Sequence, residues 1–151
     1  MKVLVQRVEE AACYVDGELL GAIDQGLVLF VSFRFDDDLS LLPKMAKKVA
    51  HLRIFEDDFG KMNDNVLARS KQVLSISQFT LEAATRKGHR PSFTDALPPE
   101  KAEQFYYRFN EALMKEGLTV KTGSFQAYMK IHLINDGPVT ILLERRGDND
   151  S

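Results

Sequence analysis

The chain has 151 residues, 44% hydrophobic and 28% charged, with a formal net charge of −2. That size favours one domain with a core that needs no staples, and the single cysteine, Cys13, rules out an intrachain disulfide and fits a reducing compartment. A general nucleic-acid binder carries a strong positive excess, so nucleic-acid contact has to be local here. Charges at Arg7, Glu9 and Glu10 interrupt the N-terminal segment, and no apolar run resembles a signal peptide or membrane span. The expectation is a cytoplasmic protein with no membrane partner.

In chain order, "KVLVQRV" alternates apolar and polar residues and reads as a strand. "ACYVDGELLGAI" is a hairpin around Asp16-Gly17. "LVLFVSF" is an apolar, Val- and Phe-rich run of the buried-strand kind. After the charged loop "RFDDDLS", Ser40 can N-cap a helix whose stripe is Leu42, Met45, Ala46, Val49 and Leu52. "RIFEDDFGKMN" reads as a short strand, a Gly60 turn and a return. "KQVLSISQFTL" alternates as a further strand, with Val73, Ser75, Ser77 and Phe79 on one parity. Pro98 and Pro99 open the clearest helix, with a stripe of Ala102, Phe105, Phe109, Ala112 and Leu113 and a stop at Gly117. Two strands, "AYMKIHLI" and "VTILLE", follow with "NDGP" between them. The pattern predicts an α+β fold, with antiparallel or mixed β-sheets and two main helices packed on them. A single domain over 1–146 and a flexible polar tail over 147–151 are expected.

The standard catalytic signatures are absent: no G-x-S-x-G elbow, no H-E-x-x-H, no phosphate-binding glycine loop. His51, His89 and His132 are scattered, His132 sharing parity with the solvent-facing Lys130, so neither a metal nor a cofactor is expected. Cys13 reads as a small buried hydrophobe. Two segments stand out. "SQFTL", Ser77 to Leu81, closes a strand. Its hydroxyls could supply a nucleophile, though no base is visible, or could cap backbone groups; alternatively, N–H groups freed where the strand ends could bind an oxyanion. "TRKGHRPSF" sets Arg86, Lys87 and Arg90 within five residues, with His89 among them, in a polar loop of about fifteen residues. The loop is either a solvated surface or a phosphate-sized patch. Asp136-Gly137 reads as an ordinary hairpin turn, and sequence alone does not decide the isomer of Gly137-Pro138.

"SQFTL" followed by "TRKGHRPSF", then "TGSFQAYM" and "NDGPVT", resembles the D-aminoacyl-tRNA deacylases, and the likeness runs from "VLVQRV" to the last strand. The resemblance implies a homodimer of a compact barrel-like α/β fold, with active sites at the subunit interface. It implies hydrolysis of the ester that joins a D-amino acid, or glycine, to the terminal adenosine of tRNA. Ser77, Gln78, Phe79 and Thr80 match the catalytic motif, in which the Phe79 N–H serves the oxyanion and the 2′-OH of the RNA assists. Gly137 and Pro138, followed by Val139 and Thr140, match the second motif. There a cis Gly-Pro unit enters the partner's pocket, holds the α-amino group with its carbonyls and excludes L-side chains. Arg7 matches an arginine that orients those carbonyls, and Met129 falls in the substrate-binding set. Arg86, Lys87, His89 and Arg90 would meet the tRNA. Ala84, Gln126 and Phe33 depart from the family pattern of Asp, a small residue and Gly-Val. Two alternatives rest on residues alone: a Ser/Thr-dependent small-molecule hydrolase built on Ser77 and Thr80, and a non-catalytic RNA-binding module built on the basic loop.

Overall fold

The computed structural model describes residues 1–147. The tail expected over 147–151 lies outside the described residues apart from Gly147.

The first long strand, β1 (Lys2–Val15), organises the sheet. On one side it pairs antiparallel with β2 (Glu18–Ile23) and β3 (Gly26–Ser32). The hairpin turn falls on Asp16 and Gly17, as its residue types require, with φ of +49° and +78°. β2 and β3 keep one register against β1, since Ala11↔Ile23 and Val8↔Gly26 continue the same ladder. The chain bends between them, and β2 leaves the plane to cross β6 (Gln72–Ser77) and β7 (Thr119–Thr122). Gly21 permits that crossing, because a Cβ there would stand 2.8 Å from the carbonyl oxygen of Thr122. β6 and β7 extend the sheet parallel to β3, each reached through a helix. The result is a mixed, nearly closed, barrel-like sheet with helices on it, as the pattern predicts.

The first helix, α1 (Leu41–His51), buries Leu41, Leu42, Met45, Ala46, Val49 and Ala50. The second, α2 (Pro99–Lys115), buries Ala102, Phe105, Tyr106, Phe109 and Leu113. Both faces meet Val3, Val5, Leu27, Leu29 and Val31 in the main core. Val28 points the other way, into a second cluster with Val8, Cys13, Leu74 and Ile76. β3 is therefore covered on both faces, which explains its unbroken apolar run. Phe33, bulky where the family that the sequence resembles has a small residue, is absorbed by this core and meets Phe105 edge-on at 5.6 Å.

Four sequence-level expectations are corrected. Ser40 occupies the N-cap, but its hydroxyl makes no cap bond; the Asp38 carboxylate instead accepts from the Ser40 N–H at 2.8 Å and from its hydroxyl. The strand through "KQVLSISQFTL" stops at Ser77, and Phe79–Glu82 coil into a single 3-10 turn. Val73 to Ile76 are all buried, because β6 lies between β3 and β7 with both faces covered, so alternation misread its environment. β7 was not foreseen; four residues of mixed polarity give too short a pattern. Finally, the last two strands are one, β8 (Lys130–Glu144), both halves pairing with β1. "RIFEDDFGKMN" does form the expected return, β4 (Phe55–Glu56) against β5 (Met62–Asp64).

Candidate active site

The "SQFT" motif sits where β6 ends. Gln78 donates its N–H to the Val31 carbonyl at 2.7 Å, the last backbone bond to β3. The chain then turns, and the opening N–H groups of a helical turn have no acceptor inside it. Among the described residues, the N–H groups of Phe79 and Thr80 have no protein acceptor. The side chains of both residues are exposed. The Thr80 hydroxyl accepts from the Gln78 side-chain amide. None of the three histidines is hydrogen-bonded to Ser77 or Thr80: His51 is held by the Lys47 carbonyl, His132 packs edge-on against Tyr14 and His89 lies in the exposed loop. Free N–H groups beside hydroxyls that lack a base form an arrangement suited to stabilising an oxyanion rather than to making a nucleophile.

The basic loop is attached to this turn. Backbone bonds between Ala84 and Ser92, at 2.8 and 2.9 Å, close it like a clasp. Ala84 thus serves through its backbone, where the family pattern often has Asp. Arg86, Lys87, His89 and Arg90 are all exposed, and none makes an ion pair among the described residues. Phe93, just past the clasp, meets Phe79 edge-on at 5.1 Å, tying the loop to the turn.

The second motif lies elsewhere. Gln6 pairs with Thr140 and Val8 with Asn135, so Asp136 to Val139 stand opposite Arg7 alone. These four residues bulge from β8 rather than turning a hairpin. The Gly137-Pro138 peptide is cis, and Gly137 has a φ of +118°. Asn135 braces the base of the bulge. Its amide donates to the carbonyls of Arg7 and Val139, both at 3.0 Å, and its oxygen accepts from Thr140 at 3.3 Å. Arg7 is buried and donates to the Ile54 carbonyl at 2.7 Å. Its Nε lies 3.3 Å from Asp136 Oδ2, an ion pair not aligned as a hydrogen bond. A Cβ on Gly137 would meet Arg7 Nη2 at 2.8 Å. Asn135 and Asp136 look like turn residues in sequence; only the cross-strand register reveals them as brace and counter-ion.

Met129 lies near the end of the strand that carries the first motif, since the Gly123 it covers also adjoins Ile76. It packs on the second core cluster, over Gly123, while Gln126 takes a positive φ of 62° in the preceding turn. The two motifs are themselves apart. Arg7 pairs with Leu27, and Ser77 pairs with Val31. Four residues along the strands and three strand spacings across separate them, about 13 Å by about 14 Å. The cavity beside Gly137 is lined by Arg7, Gln25, Phe55, Glu56 and Lys71 among others, and by none of Ser77 to Thr80. No group of three or more His, Cys, Asp or Glu among the described residues is placed to hold a metal ion, and no helix is long and apolar enough to cross a membrane.

This arrangement is a deacylase fold. A solved structure described as a probable eukaryotic D-amino acid tRNA deacylase superposes with a TM-score of 0.82, covering 94% of this chain and 97% of that one, at 15% identity. A second, described as c-Myc DNA Unwinding Element Binding Protein, reaches a TM-score of 0.91 at 42% identity, covering 97% and 100%. D-aminoacyl-tRNA deacylases of Bacillus mycoides (strain KBAB4) and Bacillus cereus (strain AH187) are each 51% identical over 146 residues, 97% of this chain and all of theirs. The model of the D-Tyr-tRNA(Tyr) deacylase family matches residues 4–144, and the chain belongs to that family. It is a hydrolase of ester bonds, of the D-aminoacyl-tRNA deacylase kind.

Proposed function

We propose that the chain, as one domain over 1–146, removes D-amino acids and glycine from mischarged tRNA in the cytoplasm, working as a homodimer. Water adds to the ester carbonyl, the Phe79 N–H takes the oxyanion, and the C–O bond to the terminal ribose breaks. The 2′-OH of that ribose assists, and the products are the free amino acid and tRNA. An aminoacyl ester is already activated, so positioning and one donor can carry the catalysis; removing such a donor costs about 10²–10³ in rate. The observation that carries this reading is the turn at Phe79, with free N–H groups and no base at its hydroxyls.

Gly137 and Pro138 of one protomer complete the partner's site, with Arg7, Val139 and Thr140 supporting them. Their carbonyls hold the α-amino group and leave no room for an L-side chain, so chirality is read by exclusion. The separation of the two motifs within one protomer supports a site shared between two. An apolar stripe supports the dimer: Leu142, Leu4 and Phe30 are successive register partners on the outer sheet face, and Leu142 is 53% exposed. Arg86, Lys87, His89 and Arg90 contact tRNA phosphates.

Two experiments test this. The protein should release D-tyrosine from D-Tyr-tRNA and spare L-Tyr-tRNA; equal hydrolysis of both would remove chiral proofreading. Phe79→Pro and Gly137→Ala should each be nearly inactive alone. Remixed into heterodimers, they should regain activity, because one of the two shared sites is then intact. No recovery on mixing would place each site within a single protomer.

A further inference from the structure

Glu82 closes the 3-10 turn that starts at Phe79, and it is the buried member of that turn. It is 3% exposed, while Phe79 is 57% exposed. A buried carboxylate must be paired, because its desolvation is costly. Here the Ser32 hydroxyl donates to Oε1 at 2.7 Å, and Lys2 Nζ lies 3.5 Å from Oε2. Lys2 Nζ also donates to the Leu81 carbonyl at 3.1 Å. Lys2 and Ser32 face each other across the β1–β3 ladder, so the support is the sheet itself.

The turn is therefore held at both ends. Gln78 ties its entrance to Val31, and Glu82 ties its exit to Ser32 and Lys2. Between these anchors lies the free N–H of Phe79. An apolar side chain at position 82 would fill the same space without directional bonds. Replacing a buried ion pair with hydrophobes is often neutral or stabilising, so stability alone does not call for a carboxylate here. Orientation does.

We propose that Glu82 is a positioning residue for the reaction, setting the direction of the Phe79 N–H through Ser32 and Lys2 without touching substrate. This rests on the reading of that N–H as the oxyanion donor. A donor displaced by about 1 Å costs on the order of 10² in rate.

The test is steady-state deacylation of D-Tyr-tRNA with thermal melts for each variant. Glu82→Met, and the doubly neutral Lys2→Met/Glu82→Met, should lower kcat by at least tenfold with KM within twofold. The double variant keeps its Tm within a few degrees, so the loss is read on folded protein. Glu82→Gln, which still accepts from Ser32, should hold kcat within about threefold. Asp37→Asn is the control: Asp37 is also buried and ion-paired, but it lies outside the turn, and its loss should lower Tm with kcat unchanged. A folded Lys2→Met/Glu82→Met protein with kcat within twofold of wild type would overturn the proposal, as would a rise in KM alone. Phe79→Pro separates the two claims. If it abolishes turnover while both Met variants retain it, only the role of Glu82 falls. If Phe79→Pro is itself fully active, the oxyanion reading falls and the proposal falls with it.

Discussion

Gly137→Ala is the sharpest test of a site built from backbone. The new methyl group would lie 2.8 Å from Arg7 Nη2, 3.0 Å from Val139 Cγ2 and 3.3 Å from the Val139 nitrogen. Arg7 cannot easily retreat, since it is buried and its Nη1 is bonded to the Ile54 carbonyl at 2.7 Å. The residue also holds a φ of +118°, which an L-side chain rarely adopts. A backbone held in so sparsely populated a region costs about 1–3 kcal/mol. The bulge relieves this by shifting, and it carries the Pro138 carbonyl with it. For a chain of this size, about 2 kcal/mol corresponds to a Tm lowered by about 4–8 °C. A shift of about 1 Å costs on the order of 10² in rate. The expected result is a folded dimer whose kcat/KM on D-Tyr-tRNA falls roughly a hundredfold. Unchanged Tm together with deacylation within twofold of wild type would refute both the steric argument and the place of Gly137 in the site.

Three further outcomes are expected. Thr80→Ala should keep kcat within about tenfold, since its hydroxyl is engaged with Gln78 and has no base; complete loss in a folded variant, measured by deacylation, would restore a threonine nucleophile. Neutralising Arg86, Lys87 and Arg90 together should raise KM and flatten the salt dependence of tRNA binding by about 2–3 units of log–log slope, with kcat unchanged. Asp57 addresses pH. The Lys61 N–H, aided by the Phe59 N–H and the Asn63 amide, holds its carboxyl below the usual carboxylate range. A depressed folded value adds stability above the unfolded value of about 3.9 and loses it as pH falls through the folded one. The Tm gap between wild type and Asp57→Ala should be complete at pH 6 and narrow below about pH 4; a gap constant down to pH 2 would contradict the linkage.

Much of the fold is legible because its signals are local. Leu42, Met45 and Val49 mark α1 by period, Pro99 marks the start of α2, and Asp16-Gly17 marks the hairpin; each is a property of a few adjacent residues. The two failures that bear on the site share one cause: the deciding partner is distant in sequence. "NDGP" has the chemistry of a turn, yet it interrupts a single strand, because Val8 and Gln6 capture the residues on both sides of it. The register of β1 decides that choice, and Asn135 braces the bulge it leaves. Ser77 to Phe79 carry strand alternation, yet the strand stops, because Val31 takes the Gln78 N–H and Ser32 takes Glu82.

The site is harder to read than the fold for a chemical reason. A search by residue type finds acids, bases and nucleophiles, and this site spends its side chains on holding backbone in place. Arg7 and Asn135 fix the Gly137 bulge; Gln78 and Glu82 fix the Phe79 turn. In each case what is held is backbone, with amides and carbonyls that every residue possesses; at the turn, the N–H groups of Phe79 and Thr80 have no protein acceptor among the described residues. On the proposed reading, a reader of chirality gains from this design. Backbone groups recognise what all amino acids share, so side chains of any kind would be tolerated on the permitted side. The excluded side would be guarded by atoms that no change of rotamer can move. Discrimination would then depend on how rigidly two short segments are held, so the residues most worth mutating are their braces.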